Sequence, residues 1–425
     1  YIFLSGMNIH IKSFKEVIHR ANKLGVKIVA GGPLATTEYQ NFLGVDHFIL
    51  NEAEITLPPF LKDLKNGVPK HIYTSTEFPD IGLTPAPRWE LLKMKKYATM
   101  SIQYSRGCPY DCEFCSITML NGRRPRVKKK EQFLGELNRL YALGWRGDVS
   151  IVDDNFIGNK RILKKELLPA LINWSKEKNY PFRFITEVSV NLSDDEELTR
   201  MIVEAGVFNI FVGIETPNNE SLIECGKSQN LRRDLVASIK KLQYSGLIVS
   251  GGFIVGFDND HPDIFNRQIN FIQESGIVTA MVGLLNAPRG TKLYERLKSE
   301  NRLIEDITGN NVDGSINFIP KMNYPVLLKG YSNILDTIYS QKGYYERVKQ
   351  FLLYYKLPSW NSYRLSFTDV EAFLKLIWKL GIIEKGRIYF WKLLFTSLFK
   401  YPKKFSVALT FAVYGFHFRK VIATI

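Results

Sequence analysis

The sequence predicts an α/β protein: most of a six-unit parallel βα barrel, preceded by a shorter α/β segment and followed by a helical tail. Three observations carry this. Along residues 99–285, apolar runs alternate with helical or loop segments of fifteen to forty residues, the rhythm of parallel strands joined by crossovers. The same rhythm over residues 1–67 stops too early for a complete doubly wound domain, and beyond residue 303 strand-like runs give way to helical periodicity. At 425 residues the chain exceeds one ordinary domain.

Taken in order, residues 1–5 form an apolar strand, 13–24 a helix, 26–30 a second strand ending in Gly31 and Gly32, 45–50 a third, and 56–66 a closing helix. These resemble the back half of a doubly wound domain. Tyr1 opens directly onto a strand with no signal peptide, so the chain is expected to start inside a larger gene product. Residues 68–98 carry Pro69, Pro79, Pro85 and Pro87 and are expected to be a linker. The barrel strands are expected at 99–105, 149–153, 182–188, 209–214, 249–257 and 280–285, which places chemistry in the loops that follow them. The region 304–425 is expected to be helical, with helices at 327–340, 343–355, 368–380 and 386–399. The apolar stretch 405–418 is too short for a bilayer, which needs about twenty residues.

A composition of 45% hydrophobic and 23% charged residues excludes disorder and coiled coil as the main state. The net charge of +15 points to an acidic partner or a solubilising surface. Residues 331–425 hold fifteen Lys and Arg against five Asp and Glu, so most of that excess sits on the tail, together with 23 of the 55 aromatic residues.

Of four cysteines, Cys108, Cys112 and Cys115 lie within eight residues in the loop after the first barrel strand. Neighbours so close are awkward to bridge, so the chain is expected in a reducing cytoplasm with its thiolates reserved for metal. Short thiolate spacings hold iron–sulfur clusters, and three thiolates on a four-iron cube leave one iron open to an outside ligand. Arg106 and Gly107 supply a cation and a flexible turn in front. A zinc site completed by Cys225 or a histidine is the alternative metal reading. Cys225 itself has no partner spacing and is expected to be structural.

The C-x3-C-x2-C spacing, with Phe114 before the last cysteine and a six-unit βα series behind it, resembles the radical S-adenosylmethionine (SAM) superfamily. The resemblance implies a 4Fe-4S cluster on Cys108, Cys112 and Cys115. Its open iron would chelate S-adenosyl-L-methionine, which the reduced cluster cleaves to a 5′-deoxyadenosyl radical. It also implies an electron donor such as a flavodoxin or ferredoxin. Asp153, Asp154 and Asn155 stand where the superfamily contacts the methionine amino group, and Glu215 where a glutamate commonly reaches the cofactor. Gly252, Ile254 and Gly256 resemble the adenine-binding strand, Phe114 is expected to border the adenine, and residues 287–291 (APRGT) resemble the end of the sixth strand. Glu187 and Asn191 are expected at the barrel mouth, or else as caps of the next helix.

The front segment resembles the later part of a cobalamin-binding domain: Ser5-Gly6-Met7 and Gly31-Gly32 match two of its marks, with Met for Leu. The resemblance implies that Ser5, Gly31 and Gly32 line the pocket for the cobalamin nucleotide tail, while His10 stays a surface residue. The stretches SGMNIH, GVDHFILNEAEITLP, RGCPYDCEFCSI, IVDDNFIGN, FIVGFD and GYSNILDTIY are similar to the B12-dependent radical enzymes that include the hopanoid C-2 methylases. That implies C-methylation of an unactivated carbon on a lipid-like or other small molecule, with cobalamin carrying the methyl group.

Two rival readings stand beside it. The basic run from Arg123 to Lys130 could track tRNA phosphates, although it lacks interleaved aromatics and reads equally as a solvated helix entrance. A non-catalytic cluster or cobalamin module is the other. The tail's basic residues, interleaved with aromatics, disfavour nucleic acid. They fit helices lying on an anionic membrane surface at the inner face, and equally helices packed on the barrel with lysines outward.

Overall fold

The structure is a computed structural model that describes residues 1–304, 314–360 and 367–423. The start of the expected tail at 305–313, and residues 361–366 and 424–425, lie outside the described residues.

Two parallel sheets dominate. The front sheet runs in the order β1 (Ile2–Ser5), β2 (Ile28–Gly31), β3 (His47–Ile49), β4 (Ile72–Tyr73). Two further antiparallel two-residue strands, β6 (Ser105–Arg106) and β7 (Arg126–Val127), close the cysteine loop at its base. The large sheet holds β5 (Thr99–Ile102), β8 (Asp148–Ile151), β9 (Arg183–Val188), β10 (Val207–Glu215), β11 (Ile248–Val255) and β12 (Ala280–Leu284). Each pairs with the next in sequence and β5 and β12 form the two edges, so this is an open, partial barrel of parallel strands. Strands such as β11 are almost continuously buried because helices cover a parallel sheet on its outer face and side chains fill it within.

The expected linker is more ordered than its prolines suggest. Residues 72–73 add β4 to the front sheet, and Trp89 is buried in the barrel's hydrophobic cluster. Asp80 makes this possible by capping a short helical turn, accepting from Gly82 N at 2.8 Å.

The first tail helices, Tyr324–Tyr339 and Gln341–Tyr354, are part of the barrel's core. The Tyr339 hydroxyl donates to Ala280 O at 2.7 Å on edge strand β12. Arg347 is fully buried and donates to Gln273 Oε1 at 2.8 Å and Ile338 O at 2.6 Å. Helices Arg387–Lys400 and Phe405–Ile422 pack outside these, and most of the lysines on this outer part, among them Lys385, Lys392, Lys400, Lys403 and Lys420, are exposed. Among the described residues no helix is long and apolar enough to cross a membrane.

Candidate active site

The site forms where the loop after β5 folds back over the C-terminal ends of the barrel strands. Gly107 has φ +96°, and a Cβ there would lie 2.9 Å from Gly122 O, so the approach to Cys108 needs glycine. Cys108 N then donates to Gly122 O at 3.2 Å, and Cys115 N to Cys112 O at 3.1 Å, a turn that folds the C-x2-C half back on itself.

Residues at the ends of four strands hold this loop. After β8, Asp153 accepts from Tyr104 N at 2.7 Å, Ser105 N at 2.8 Å and Ser105 Oγ at 2.5 Å. Asp154 accepts from Gly107 N at 2.7 Å and Asn121 Nδ2 at 3.0 Å. Asn155 donates to Ser189 Oγ at 3.2 Å, accepts from Ser189 N at 3.3 Å and lies beside Cys108. After β9, Ser189 donates to Asn191 Oδ1 at 2.7 Å, and Asn191 donates to the hydroxyl of Tyr110 in the cysteine loop at 2.8 Å. Asn191 thus anchors the loop and caps no helix. After β10, Cys225 O accepts from Glu113 N at 2.9 Å. Beyond β12, Arg296 forks onto Glu113 at 2.6 and 3.1 Å and reaches Asp258 at 2.8 Å. Although burial alone would raise the Asp258 carboxyl, Arg302 and Arg296 hold it down to about 2.

These contacts narrow the expectation for the acidic pair. Asp153 is 2% exposed, and both its oxygens are engaged by the loop base, so it is a clamp with no face toward a ligand. Asp154 is half-buried at the loop itself. Glu187 is exposed into the open mouth and, among the described residues, makes no side-chain hydrogen bond or ion pair. The surrounding walls and then the like charge of Asp154 push its carboxyl up.

Glu215 ends β10 at φ +63°, beside a register shift in the β10–β11 pairing, and its Oε1 meets Lys227 Nζ at 2.5 Å. Burial would lower the Lys227 ammonium, but Glu215 and then Cys112 outweigh it and the group stays charged. Burial pushes the Cys115 thiol up to about 12 and raises Cys108 and Cys112, while Lys227 draws all three back. Lys227 was not visible in the sequence, where nothing separates it from the surface lysines.

Phe114 packs against Phe257, ring centroids 6.3 Å apart, in an apolar cluster that also holds Ile254 and Cys225. The two glycines of the proposed adenine strand face protein: a Cβ on Gly252 would lie 2.9 Å from the Phe211 ring, and one on Gly256 would lie 3.3 Å from Leu327. In the APRGT segment, Thr291 caps helix Lys292–Ser299 by accepting from Tyr294 N at 3.2 Å, and Arg289 meets Glu38 of the front layer at 3.2 Å.

A cleft of about 490 Å³ lies between the front sheet and the cysteine loop, lined on one side by Ser5, Gly31, Gly32, Asn51, Glu52 and Glu54 and on the other by Gln103, Arg106 and Asn121. The glycines serve chain packing as well as room: a Cβ on Gly31 would lie 2.8 Å from Ile49 O, and one on Gly32 would overlap Ser5 Oγ. His10 is exposed and accepts from Met7 N at 3.1 Å, as a surface residue does.

The donor set fits an iron–sulfur cluster better than a single ion. Three thiols, Cys112 buried and Cys108 and Cys115 partly so, lie close enough to interact electrostatically with one another, but among the described residues no three Cys, His, Asp or Glu converge as one metal ion needs. A cube spreads its ligands over separate corners. The buried Lys227 ammonium suits the anionic state that three thiolates create. Two cations of the basic run are engaged within the protein: Arg126 pairs with Glu52 at 2.6 Å, and Lys128 with Glu136 at 2.6 Å with both side chains at most 3% exposed. The rest of the run, Arg123, Arg124, Lys129 and Lys130, is exposed, and Lys129 and Lys130 open helix Lys130–Ala142, as a solvated helix entrance does; Lys128 alone is buried.

A partial parallel barrel whose first loop carries three such thiols is of radical SAM type. Residues 102–272 match the radical SAM superfamily, and residues 291–425 match a domain of unknown function, DUF4070. An uncharacterized methyltransferase of Synechocystis sp. is 40% identical over 98% of this chain and 78% of its own length. Hopanoid C-2 methylase of Rhodopseudomonas palustris is 30% identical over 92% of this chain and 75% of its own. The fold is similar to that of the cobalamin-dependent SAM radical enzyme OxsB with aqua-cobalamin bound, at TM-score 0.61 and 16% identity, covering 100% of this chain and 72% of that one. The chain belongs to the radical SAM superfamily, in the group of methyltransferases that includes hopanoid C-2 methylase.

Proposed function

We propose that this enzyme is a cobalamin-dependent radical SAM C-methyltransferase acting on an unactivated carbon of a lipid-like small molecule, with hopanoids as the first class to test. The observation that carries the reading is the cleft lined jointly by Ser5, Gly31, Gly32 and Arg106, because Arg106 leads directly into the cysteine loop. The relation to hopanoid C-2 methylase supports the lipid class. When bound, the cluster, SAM and cobalamin supply radical generation and methyl carriage.

In this reading residues 1–67 hold part of the cobalamin, 68–98 connect, 99–303 form the SAM barrel and 304–425 the tail. Cys108, Cys112 and Cys115 hold the cluster. Phe114 and Ile254 border the adenine and keep water from that wall. Glu187 and Asp154 face the methionine ammonium, and Asn155 orients Cys108. Lys227 and Glu215 balance the charge below the thiolates. Electrons come from a flavodoxin or ferredoxin. The test is to incubate the reconstituted enzyme with lipid extracts. A mass gain of one methylene in a lipid is expected, and abundant 5′-deoxyadenosine with no methylated species would contradict it.

A lipid substrate also suits the outer tail. On helix Arg387–Lys400, Trp391, Phe395 and Phe399 stack at one-turn intervals, with centroids 5.6 and 6.3 Å apart and Phe395 and Phe399 exposed by 49% and 79%. Trp378, Ile382 and Ile383 are exposed on the preceding helical segment, and Lys392, Lys400 and Lys403 lie around the ladder. Apolar rings ringed by lysines fit the interface of an anionic bilayer. Phe395→Ser with Phe399→Ser is expected to weaken binding to phosphatidylglycerol vesicles at least about a hundredfold in a flotation assay, as loss of two membrane-inserted rings implies. Equal binding by the variant would remove the membrane reading.

A further inference from the structure

The stretch HFILNEAEITLP was singled out in the sequence, but neither cluster nor SAM binding uses its two glutamates. Glu52 sits after β3, at the edge of the cleft. Arg126 forks onto it, Nη2 to Oε1 at 2.6 Å and Nη1 to Oε2 at 3.0 Å, while Arg106 Nη1 donates to the same Oε2 at 2.7 Å. Glu54 adds a second bridge to Arg106, Oε1 to Nη2 at 2.9 Å, and accepts the Thr84 hydroxyl at 2.6 Å. Arg126 also donates to Pro79 O at 2.6 Å and lies over the Phe78 ring, 5.2 Å from its centroid. None of the four side chains is more than 17% exposed.

Position gives this lattice its meaning. Arg106 and Arg126 are paired residues of β6 and β7, the hairpin from which the whole cysteine loop, residues 107–125, projects. One carboxylate of the front layer therefore holds both ends of that loop. Glu52, Glu54 and Arg106 also line the cleft. Buried ion pairs are costly to assemble and contribute little net stability, so their clearest yield is fixed geometry.

We propose that Glu52, with Glu54, Arg106 and Arg126, is a positioning clamp that fixes a corrin in the cleft at a set distance and angle from the cluster on residues 107–125. The inference rests on the cobalamin reading. A methyl donor and a radical source must address the same substrate carbon, and a displacement of about 1 Å between such groups costs on the order of a hundredfold in rate.

The test uses the full chain carrying cob(II)alamin and the reduced cluster, whose electron spins report their separation by pulsed dipolar EPR. Wild type is expected to give one narrow distance distribution. Glu52→Gln, which places an amide proton against two guanidinium groups, is expected to bind corrin and iron yet broaden that distribution at least twofold. Glu136→Gln breaks the buried pair with Lys128 inside the barrel and serves as the structural control, expected to lower the melting temperature and leave the distribution narrow. Should Glu52→Gln fail to fold, Glu54→Gln removes one arm only and is read by the same criterion. Corrin bound with an unchanged distribution in the clamp variant overturns the clamp alone. Absence of a corrin spectrum in the wild type overturns the cobalamin reading and the clamp with it.

Discussion

Cys112→Ala is expected to leave the reconstituted protein without iron–sulfur absorbance and with SAM cleavage at background. Cys112 is 8% exposed in the pocket that Lys227 and Glu215 close from below. With two thiolates left, the cube loses one of its three anchors, and the buried Lys227 faces one negative charge fewer. Because burial raises all three thiols, iron uptake must displace protons, and the binding energy has to cover that cost. Cys225→Ala is the matching control. Cys225 is 1% exposed among Phe257 and Leu285, and burial pushes its thiol up to about 12. The control is expected to lose on the order of 1–2 kcal/mol of stability and no iron. Iron quantification and 5′-deoxyadenosine release check both, and cleavage retained by Cys112→Ala would sink the cluster assignment.

The largest stability effect is expected at Asp153. Alanine there strands the N–H groups of Tyr104 and Ser105 and the Ser105 hydroxyl in a buried setting. An unsatisfied buried donor costs about 1–3 kcal/mol, so a loss of about 3–5 kcal/mol is expected by urea denaturation, with iron content falling as the loop base loosens. Asp153→Asn keeps an acceptor and is expected to cost less. Burial outweighs the three hydrogen bonds and lifts the Asp153 carboxyl to about 7. The folded chain therefore holds this proton after the unfolded chain has released it. Its contribution is complete below about pH 4 and is lost as pH rises through about 7, with a slope of at most about 1.4 kcal/mol per pH unit. Asp153→Asn, which cannot ionise, is expected to lose that slope, and a parallel pH profile would contradict the assignment.

Local pattern made the barrel legible. All six strands fall within a few residues of their expected places because each is a compact apolar run followed by a crossover. The three cysteines and Phe114 stand out in the sequence because the resemblance they carry depends on spacing along the chain. What pattern could not reveal is pairing across it. Lys227 reads as any surface lysine until Glu215 is folded against it. Arg126 and Lys128 read as part of a solvated run until Glu52 and Glu136 are folded against them. Asp153 and Asp154 marked the correct strand end, but only folding assigns Asp153 to the loop base. Gly252 and Gly256 resemble an adenine-binding strand in sequence, and only the fold shows that a Cβ on either would meet Phe211 or Leu327.

The proposed function requires one chain to join radical SAM chemistry to methyl transfer through cobalamin. Its most direct test is to give the reduced, cobalamin-loaded enzyme SAM bearing a deuterated methyl group in the presence of host lipid extract, and to measure the small-molecule products together. 5′-Deoxyadenosine and S-adenosylhomocysteine are both expected to form, and the deuterated methyl to appear in a lipid. Formation of 5′-deoxyadenosine alone, with no S-adenosylhomocysteine and no labelled lipid, would contradict it.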